Sequence, residues 1–368
     1  MGDRNKSVTK TMGILTSGGD CPGLNAAIRG VCRAAYDRYN MTIIGIANGY
    51  RGLIDGDARL LKPEDFSGIL TRGGTILGTS REKPFKSKNN EYDADVGQDK
   101  VEVIKDNYNK LNLDCLVVLG GNGTNTTGYL LSKEGLNVIG LPKTIDNDIV
   151  GTDMTFGFHS AVSIATEAID RLHSTAHSHN RVMVIELMGH KAGWLSLYAG
   201  VAGGGDIILI PEIPYDIDVI GRHLLKRARD GKSFSIVVVA EGAMSVEEAK
   251  MDKKERKKYR EKTAKPSIGY RVAREIEAET GMETRVTVLG YLQRGGIPSA
   301  WDRVLATTFG TAAAELLARG DYGKMVSLQG NEVGSVDLSE PAGRIKSVPD
   351  DHYMLDTARS VGTCLGNE

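Results

Sequence analysis

The sequence has few cysteines, no long apolar run and almost no net charge. Its four cysteines lie far apart, and no two of them have the CxxC spacing of many metal and redox sites. We therefore expect neither a disulfide framework nor a cysteine-based metal site, and we expect a reducing, cytoplasmic compartment. The net charge of −1 argues against a nucleic-acid partner, because contact with a phosphate backbone needs a basic face.

Membrane signals are also lacking. No apolar stretch approaches the roughly 18 residues that a spanning helix needs. The polar start, MGDRNKSVTK, is not followed by the apolar segment of a signal peptide. These features predict no membrane partner.

Glycine, in contrast, is abundant. The 45 glycines among 368 residues exceed the usual share of about 7%, and they cluster at the ends of apolar runs, as in tight turns and ligand contacts. The length exceeds what one hydrophobic core usually serves, so we expect two lobes.

Short apolar runs alternate with amphipathic stretches along the chain. The runs have the composition of parallel strands that are covered on both faces: Met12–Thr16, Met41–Ala47, Cys115–Leu119, Val138–Leu141, Val182–Leu187, Ile207–Ile210, Ile236–Ala240 and Val286–Leu289. Helical patterns cover Asn25–Arg38 and Ala161–Leu172. The alternation predicts an α/β fold, in which ligands bind at the carboxyl ends of the strands.

Two glycine-rich turns follow predicted strands and open predicted helices. The first covers residues 16–23, and the second is Gly120-Gly121-Asn122-Gly123-Thr124. Such turns let the backbone and a helix N-terminus approach a phosphate, although they also serve ordinary packing. Their spacing matches neither a P-loop nor a convincing dinucleotide fingerprint.

The segment Pro142-Lys143-Thr144-Ile145-Asp146-Asn147-Asp148 follows another strand. Two carboxylates beside a lysine and a hydroxyl suit phosphoryl transfer, since one can accept a proton and the other can help hold Mg²⁺. The same residues are also typical of a simple turn, and the residue types alone leave both interpretations open.

Further polar residues lie at later strand ends. Met188-Gly189-His190 follows one strand and Glu241 ends another, while Arg285 precedes the stretch Gly290–Gly296. Arginines at such places are candidates for bidentate phosphate contacts. The segment Ser245–Lys265 differs, because it is crowded with charges and has almost no apolar period; it predicts a solvated helix or a flexible excursion without function.

Five motifs in order resemble the phosphofructokinase family. They are SGGDCPGLNAAIRG, RGGTILGTSR, GGNGT, PKTIDNDIVGTD and VTVLGYLQRGG, and they span roughly residues 11 to 310. The resemblance implies two Rossmann-like α/β/α lobes with the active site in the cleft. We expect a larger donor-binding lobe of residues 1–156 with 292–342, and a smaller sugar-phosphate-binding lobe of residues 157–291 with 343–368.

The resemblance also implies an activity and its residues. The enzyme would transfer a phosphoryl group from ATP, with Mg²⁺, to the 1-hydroxyl of fructose 6-phosphate in glycolysis, with Asp146 as general base and Thr144 assisting. The donor would meet Gly19, Arg81, Gly121, Asn122, Gly123, Thr124 and Lys143. The sugar phosphate would meet Thr144, Arg181, Met188, Gly189, His190, Glu241, Arg285, Tyr291 and Arg294. Arg181 and Arg285 would reach in from a neighbouring subunit, which implies a homotetramer or homodimer.

Several positions depart from the family pattern. Asn122 stands where members commonly have a metal-binding aspartate, so Asp148, Asp20 or the donor phosphates would carry more of the Mg²⁺ coordination. Gly123 leaves open the space that an aspartate fills in pyrophosphate users, whereas Lys143 is typical of those users. We expect the open space at Gly123, which removes a steric barrier to ATP, to matter more than the attraction of Lys143 for pyrophosphate. We therefore favour ATP, with pyrophosphate as the alternative donor. His190 stands where many members have an arginine. Because Asn122 and His190 both depart from the family pattern, a catalytically weak sugar-phosphate-binding subunit is a further alternative.

The effector site predicted by the resemblance is short of cations. Arg29 and Arg33 match the family, but basic residues are replaced at Asp57, His173, Ser233 and Phe234. Since an anion pocket without cations binds anions weakly, we predict that ADP and phosphoenolpyruvate have little effect. Initial rates against fructose 6-phosphate should be hyperbolic, and a sigmoidal curve that ADP relieves would contradict this prediction.

Overall fold

The computed structural model describes residues 6–85 and 100–367, which form two compact units. The first unit consists of the described residues up to Thr144 together with Ile149–Ser160 and Arg294–Ile345. The second consists of Ile145–Asp148, Ala161–Gln293 and the described residues from Lys346 onward. These bounds differ from the predicted lobes by a few residues, and the short segment Ile145–Asp148 belongs to the second unit.

The described residues contain twelve strands and twelve α-helices. The strands are β1 Thr11–Thr16, β2 Thr42–Ile46, β3 Ala58–Leu60, β4 Cys115–Gly120, β5 Val138–Thr144, β6 Phe156–Gly157, β7 Val182–Leu187, β8 Ile207–Leu209, β9 Ser235–Ala240, β10 Thr284–Val288, β11 Lys324–Gln329 and β12 Glu332–Asp337. The helices are α1 Leu24–Tyr39, α2 Tyr50–Asp55, α3 Val101–Lys110, α4 Asn122–Lys133, α5 Phe158–His179, α6 Trp194–Ala202, α7 Ile217–Arg229, α8 Val246–Lys250, α9 Lys253–Thr263, α10 Ile268–Thr280, α11 Ala300–Arg319 and α12 Tyr353–Ser360.

The first unit is built on one sheet. Its strand order is β12-β11-β5-β4-β1-β2-β3, with β6 beside β5. The central strands are parallel, while β3 and β12 pair antiparallel at the two edges. One face packs against α2, α3 and α4 through an apolar cluster that includes Leu15, Tyr50, Ile104 and Val118. Helices α1 and α11 cover other parts of this sheet and pack against each other.

The contact between α1 and α11 depends on two glycines. A Cβ atom at Gly30 would lie 2.7 Å from the Thr307 carbonyl oxygen, and one at Gly310 would lie 2.6 Å from the Val31 backbone nitrogen. Real Cβ atoms do not approach backbone this closely, so the two helix backbones can meet only where side chains are absent. This close contact fixes the distance between α1, which follows the glycine-rich turn, and α11.

The second unit contains a smaller, fully parallel sheet. Its strand order is β10-β7-β9-β8. Strands β7, β8 and β9 are buried along their whole length and pack against α7 and α10. The predicted α/β class is therefore confirmed, and each of the eight predicted strands overlaps an observed one.

None of the helices in residues 6–85 and 100–367 is long and apolar enough to cross a membrane, and the four cysteines are buried with free thiols.

The charged segment Ser245–Lys265 forms α8 and α9, so the predicted helix is present. Each helix begins with a capping box, at Ser245 and Asp252 respectively. Glu248 on α8 is completely buried and pairs with Arg260 on α9 and with the buried Arg271 on α10, both at 2.7 Å. These ion pairs tie the segment to the core of the second unit.

We predict that Glu248→Ala destabilises the protein by roughly 3 kcal/mol, because it removes one of the two carboxylates that pair with the buried Arg271, the other being Glu275. Burial raises the pKa of Glu248, but hydrogen bonds from the Ser245 backbone and Arg260 hold it below its usual value. The ion pairs are thus lost as the pH falls through that pKa, and the difference from wild type should shrink in acid. Urea unfolding at pH 7 and pH 4 measures both effects.

The matched control is Glu247→Ala, which removes the exposed neighbouring carboxylate and should change stability by no more than about 0.5 kcal/mol. Equal destabilisation by the two substitutions would contradict a special role for the buried pair.

Candidate active site

Three strand ends of the first unit meet beside the turn that follows β1. In this turn Ser17 donates its N–H to the Leu119 carbonyl at 3.0 Å, next to the end of β4. Gly18 has a φ of +84°, and a Cβ atom there would lie 3.7 Å from Thr124 Oγ1 and 3.9 Å from Lys143 Nζ. The ends of β1, β4 and β5 therefore bring Gly18, Thr124 and Lys143 together.

Two cations hold the carbonyl groups of this turn. Lys143 is only 3% exposed, and its ammonium group donates to the Gly19 carbonyl. Arg294 donates from Nη1 to the Asp20 carbonyl at 3.3 Å. A Cβ atom at Gly19 would lie 1.9 Å from Arg294 Nη1, so this position must lack a side chain for Arg294 to keep its place.

The N-terminus of α4 is the second part of the predicted donor site. The helix follows Gly121, starts at Asn122 and has no acidic residue in its first turn. A Cβ atom at Gly123 would meet no atom within 4 Å among the described residues. The positive end of the helix dipole and the open space together suit an anionic ligand.

Two buried asparagines, which the sequence analysis did not identify, hold the surrounding loops. Asn25 donates to the carbonyls of Arg72 and Gly73 at 3.0 and 3.2 Å and accepts from the Ile76 N–H at 2.8 Å. Asn125 donates to the carbonyls of Gly120 and Gly121 at 2.8 and 3.1 Å. Both follow a glycine-rich turn in the first turn of a helix, and that position is the signal that could have identified them.

Arg81 follows a loop that is bound to the β1 turn. Gly18 donates its N–H to the Ser80 carbonyl at 2.8 Å. The Thr79 hydroxyl donates to the Gly18 carbonyl at 2.6 Å. The backbone of Arg81 therefore lies beside the turn that contains Gly19.

The Asp146 loop directly follows β5. Thr144 ends the strand, and its carbonyl accepts from the Thr155 hydroxyl at 2.8 Å. Asn147 has a φ of +51°, as in a tight turn, while Asp146 and Asp148 are both at least nine-tenths buried. The segment is thus a turn, and it also buries two carboxylates, so the two interpretations of its sequence are compatible.

In the second unit, the ends of β7 and β9 bring Glu241 and His190 together. The Glu241 carboxylate accepts from the His190 N–H at 2.8 Å. Gly189 between Met188 and His190 has a φ of +139°, and a Cβ atom there would lie 2.7 Å from the Ala192 carbonyl. The loop therefore requires glycine in order to direct the His190 N–H at Glu241.

Glu241 is electrostatically coupled to Asp146. Burial raises the pKa of Glu241, the nearby Asp146 and Glu186 carboxylates raise it further, and the His190 N–H opposes this effect. The structure thus places the predicted base, Asp146, within electrostatic reach of the predicted sugar-binding residue Glu241.

Arg181 and Arg285 lie at the other end of the same sheet. Arg181 immediately precedes β7 and Arg285 pairs with Met183 at its start, and both arginines contact Glu283. At about 3.3 Å per residue, Arg181 is roughly 20 Å from Met188 along the strand. One chain therefore does not bring these two arginines to Met188 and Glu241. Tyr291 lies in the 3₁₀-helix Gly290–Arg294 and is 75% exposed.

The fit of the predicted magnesium site can be judged from its oxygen atoms. Among the residues that the structure describes, no three His, Cys, Asp or Glu side chains form a group that could hold a metal ion. Mg²⁺ is commonly held by one or two carboxylates together with substrate phosphates and water. Asp146 and Asp148, in the buried loop after β5, supply that number of carboxylates, and these donors fit the ion.

The raised pKa of Glu241 generates a prediction. Because its folded pKa is raised, the ionised carboxylate costs stability above that pKa. Glu241→Gln keeps an acceptor for the His190 N–H and should raise the melting temperature at pH 7, a gain that disappears toward pH 4. It should also raise KM for the sugar phosphate about tenfold, through loss of a charged acceptor. A lower melting temperature of the variant at pH 7 would contradict a raised pKa of Glu241.

Comparisons with known proteins agree with this geometry. The family model described as Phosphofructokinase matches residues 11–317. An ATP-dependent 6-phosphofructokinase of Spirochaeta thermophila is 72% identical over 98% of this chain and 99% of its own length. ATP-dependent 6-phosphofructokinase 3 of Bacteroides thetaiotaomicron is 52% identical over 96% of this chain and 99% of its own length.

A solved structure is also similar. The pyrophosphate-dependent phosphofructokinase of Marinobacter aquaeolei superposes with a TM-score of 0.75 at 25% identity, covering 92% of this chain and 86% of its own. The family model covers most of the chain, and both relatives exceed 50% identity over nearly the full length. The chain belongs to the phosphofructokinase family.

Proposed function

We propose that the protein is an ATP-dependent 6-phosphofructokinase, which transfers a phosphoryl group from ATP to the 1-hydroxyl of fructose 6-phosphate and forms fructose 1,6-bisphosphate. The observation that carries the choice of donor is the open space at Gly123, where a Cβ atom would meet no described atom within 4 Å. An α-phosphate can occupy this space at the positive end of α4. Two relatives that are 72% and 52% identical to this chain are named for ATP dependence, which supports the same donor.

Lys143 is the residue that favours pyrophosphate, and its contacts weaken that argument. Its ammonium group is buried and donates to the Gly19 carbonyl. A lysine held in this way stabilises the β1 turn, whichever donor binds. The described pyrophosphate-dependent neighbour is only 25% identical, well below the two ATP-dependent relatives.

Asp146 is the proposed general base. Its buried carboxylate lies at the carboxyl end of β5 and close to Glu241. In its unprotonated form it accepts the proton of the sugar 1-hydroxyl as the phosphoryl group is transferred. Thr144, directly before it, helps to orient the reactants. Asn122 and Asp148 would hold Mg²⁺, which neutralises charge on the donor phosphates when bound.

Glu241, the Met188–His190 loop, Tyr291 and Arg294 are the proposed sugar contacts from one chain. Arg181 and Arg285 lie at the opposite end of β7 and β10, which supports their acting in the site of a second copy. The proposed assembly is therefore a homodimer or homotetramer. Four buried free thiols fit a reducing cytoplasm.

Initial rates with ATP and with pyrophosphate test this proposal. With fructose 6-phosphate and Mg²⁺, we expect turnover with ATP and little or none with pyrophosphate. Turnover with pyrophosphate alone would overturn the argument from Gly123. Binding of the sugar phosphate without turnover from either donor would instead favour a regulatory subunit.

Asp146→Asn is the control for catalysis in that experiment. The amide cannot accept the proton but has nearly the same shape, so kcat should fall by about 10² to 10⁴ while KM changes little. An unchanged kcat would exclude Asp146 as the base.

A further inference from the structure

The loop of residues 188–193, which carries proposed sugar contacts, is held by two carboxylates. The first belongs to Glu241, which accepts the His190 N–H at 2.8 Å. The second belongs to Glu212, whose Oε1 atom accepts the Gly193 N–H at 2.9 Å. Glu212 lies shortly after the end of β8, and Glu241 directly follows the neighbouring strand β9. Two strand ends of the smaller sheet therefore fix this loop.

Glu212 also lies against the beginning of α6. A Cβ atom at Gly193 would lie 2.5 Å from Ile210 Cβ and 2.6 Å from Glu212 Oε2, so the carboxylate can reach this backbone only beside a glycine. Gly193 is the N-cap residue of α6, which has no acidic residue in its first turn. Glu212 therefore brings a carboxylate to the positive end of the helix dipole, where it is favourable.

The same oxygen of Glu212 holds a second segment, residues 346–348, which we call the strap. The Val348 N–H donates to Glu212 Oε1 at 2.9 Å. Two residues earlier, the Lys346 carbonyl accepts from Trp194 Nε1 at 2.8 Å. Since Trp194 is the first residue of α6, the strap is bound at two points to the end of the sugar-binding loop.

The strap is bound in turn to the loop that contains the proposed base, Asp146. The Lys346 N–H donates to the Asp148 carbonyl at 2.8 Å, and Asp148 lies two residues after Asp146. A continuous path of hydrogen bonds and short backbone segments therefore runs from Glu212 through the strap to the Asp146 loop.

Only one oxygen of Glu212 is used in these contacts. Oε2 is buried and has no hydrogen-bond partner in the described part of the chain. Burial raises the pKa of Glu212, whereas the N–H groups of Val348 and Gly193 oppose this effect. The role of the side chain is therefore to present one acceptor oxygen to two backbone N–H groups, and a neutral amide can present the same oxygen.

We propose that Glu212 is a positioning residue of the active site, which holds the sugar-binding loop and, through the strap, the Asp146 loop in one arrangement. The inference rests on the proposed function and extends it. Glu212 acts through the Gly193 and Val348 N–H groups rather than by contact with the substrate. Because buried N–H groups must find acceptors, loss of this oxygen shifts both loops, and a shift of about 1 Å in a reacting group can lower the rate about 10²-fold.

Substitutions at Glu212 test the proposal. Glu212→Met keeps the length of the side chain but removes the acceptor, so we expect KM for fructose 6-phosphate to rise about tenfold and kcat to fall about tenfold. KM for ATP should stay within about twofold of wild type. Glu212→Gln keeps the acceptor oxygen and should restore both constants to within about threefold of wild type. Glu212→Asp, which withdraws the carboxylate by one methylene, should change the constants in the same direction if the Met variant does not fold.

Asp114→Leu is the matched control. Asp114 Oδ2 also accepts two backbone N–H groups, from Lys10 and Thr11 at 2.7 and 2.8 Å, but at the start of β1 and therefore far from the carboxyl ends of the strands. This variant should lower the melting temperature, as a lost buried acceptor does, without a change in KM for fructose 6-phosphate. An equal rise of that KM in the control and in Glu212→Met would overturn the proposal as a general effect of stability.

Hydrogen–deuterium exchange without substrate and calorimetric titration with fructose 6-phosphate separate this proposal from the proposed function. Peptides that cover residues 188–194 and 345–350 should exchange faster in Glu212→Met, but not in Glu212→Gln or Asp114→Leu. Faster exchange with weaker binding of fructose 6-phosphate supports the positioning role even if the wild type shows no turnover with ATP. Unchanged exchange, an unchanged KM and affinity in Glu212→Met, or failure of Gln to restore them would each overturn it, as would a wild type that does not bind fructose 6-phosphate.

Discussion

The hydrogen bond between buried Lys143 and the Gly19 carbonyl is the interaction on which the predicted phosphoryl-donor site of the first unit depends. An ammonium group removed from water costs several kcal/mol unless its donors are satisfied, so Lys143 must find an acceptor at this edge. Because β4 lies between β5 and β1 in the sheet, the bond joins the ends of β5 and β1 across the end of β4. A side chain at position 19 would displace the Arg294 guanidinium, which occupies the space beside the Gly19 Cα atom.

Most of the central strands were predicted from the sequence, whereas the antiparallel edge strands β3 and β12 of the larger sheet were not. Strands such as β4 and β7 are covered on both faces and show continuous apolar runs, which is the signal that single-sequence analysis detects. The edge strands β3 and β12 expose most of their residues, because water solvates one side of an edge. Their pairing depends on neighbours that are distant in the sequence, and residue patterns alone do not show it.

The candidate site shows the same contrast between residues that the sequence predicted and residues that only the structure showed. Gly19, Asp146 and Glu241 were predicted because each lies just after the carboxyl end of a strand, where parallel sheets bind ligands. The same rule places Arg181 and Arg285, at the start of their strands, at the opposite edge. Asn25 and Asn125 required the structure, because each acts through backbone carbonyls whose positions the sequence does not reveal.

Helix α9 depends on its cap and on arginine contacts rather than on an apolar face. Its eleven residues include seven lysines and arginines against two glutamates, and none of the eleven is buried. A helix this short gains little stability in isolation, and neighbouring like charges oppose it. Its capping box and the contacts of Arg256 and Arg260 offset that cost. Because Arg260 also donates to the Gly242 and Ala243 carbonyls, the contacts that hold α9 in place also fix the backbone that directly follows Glu241.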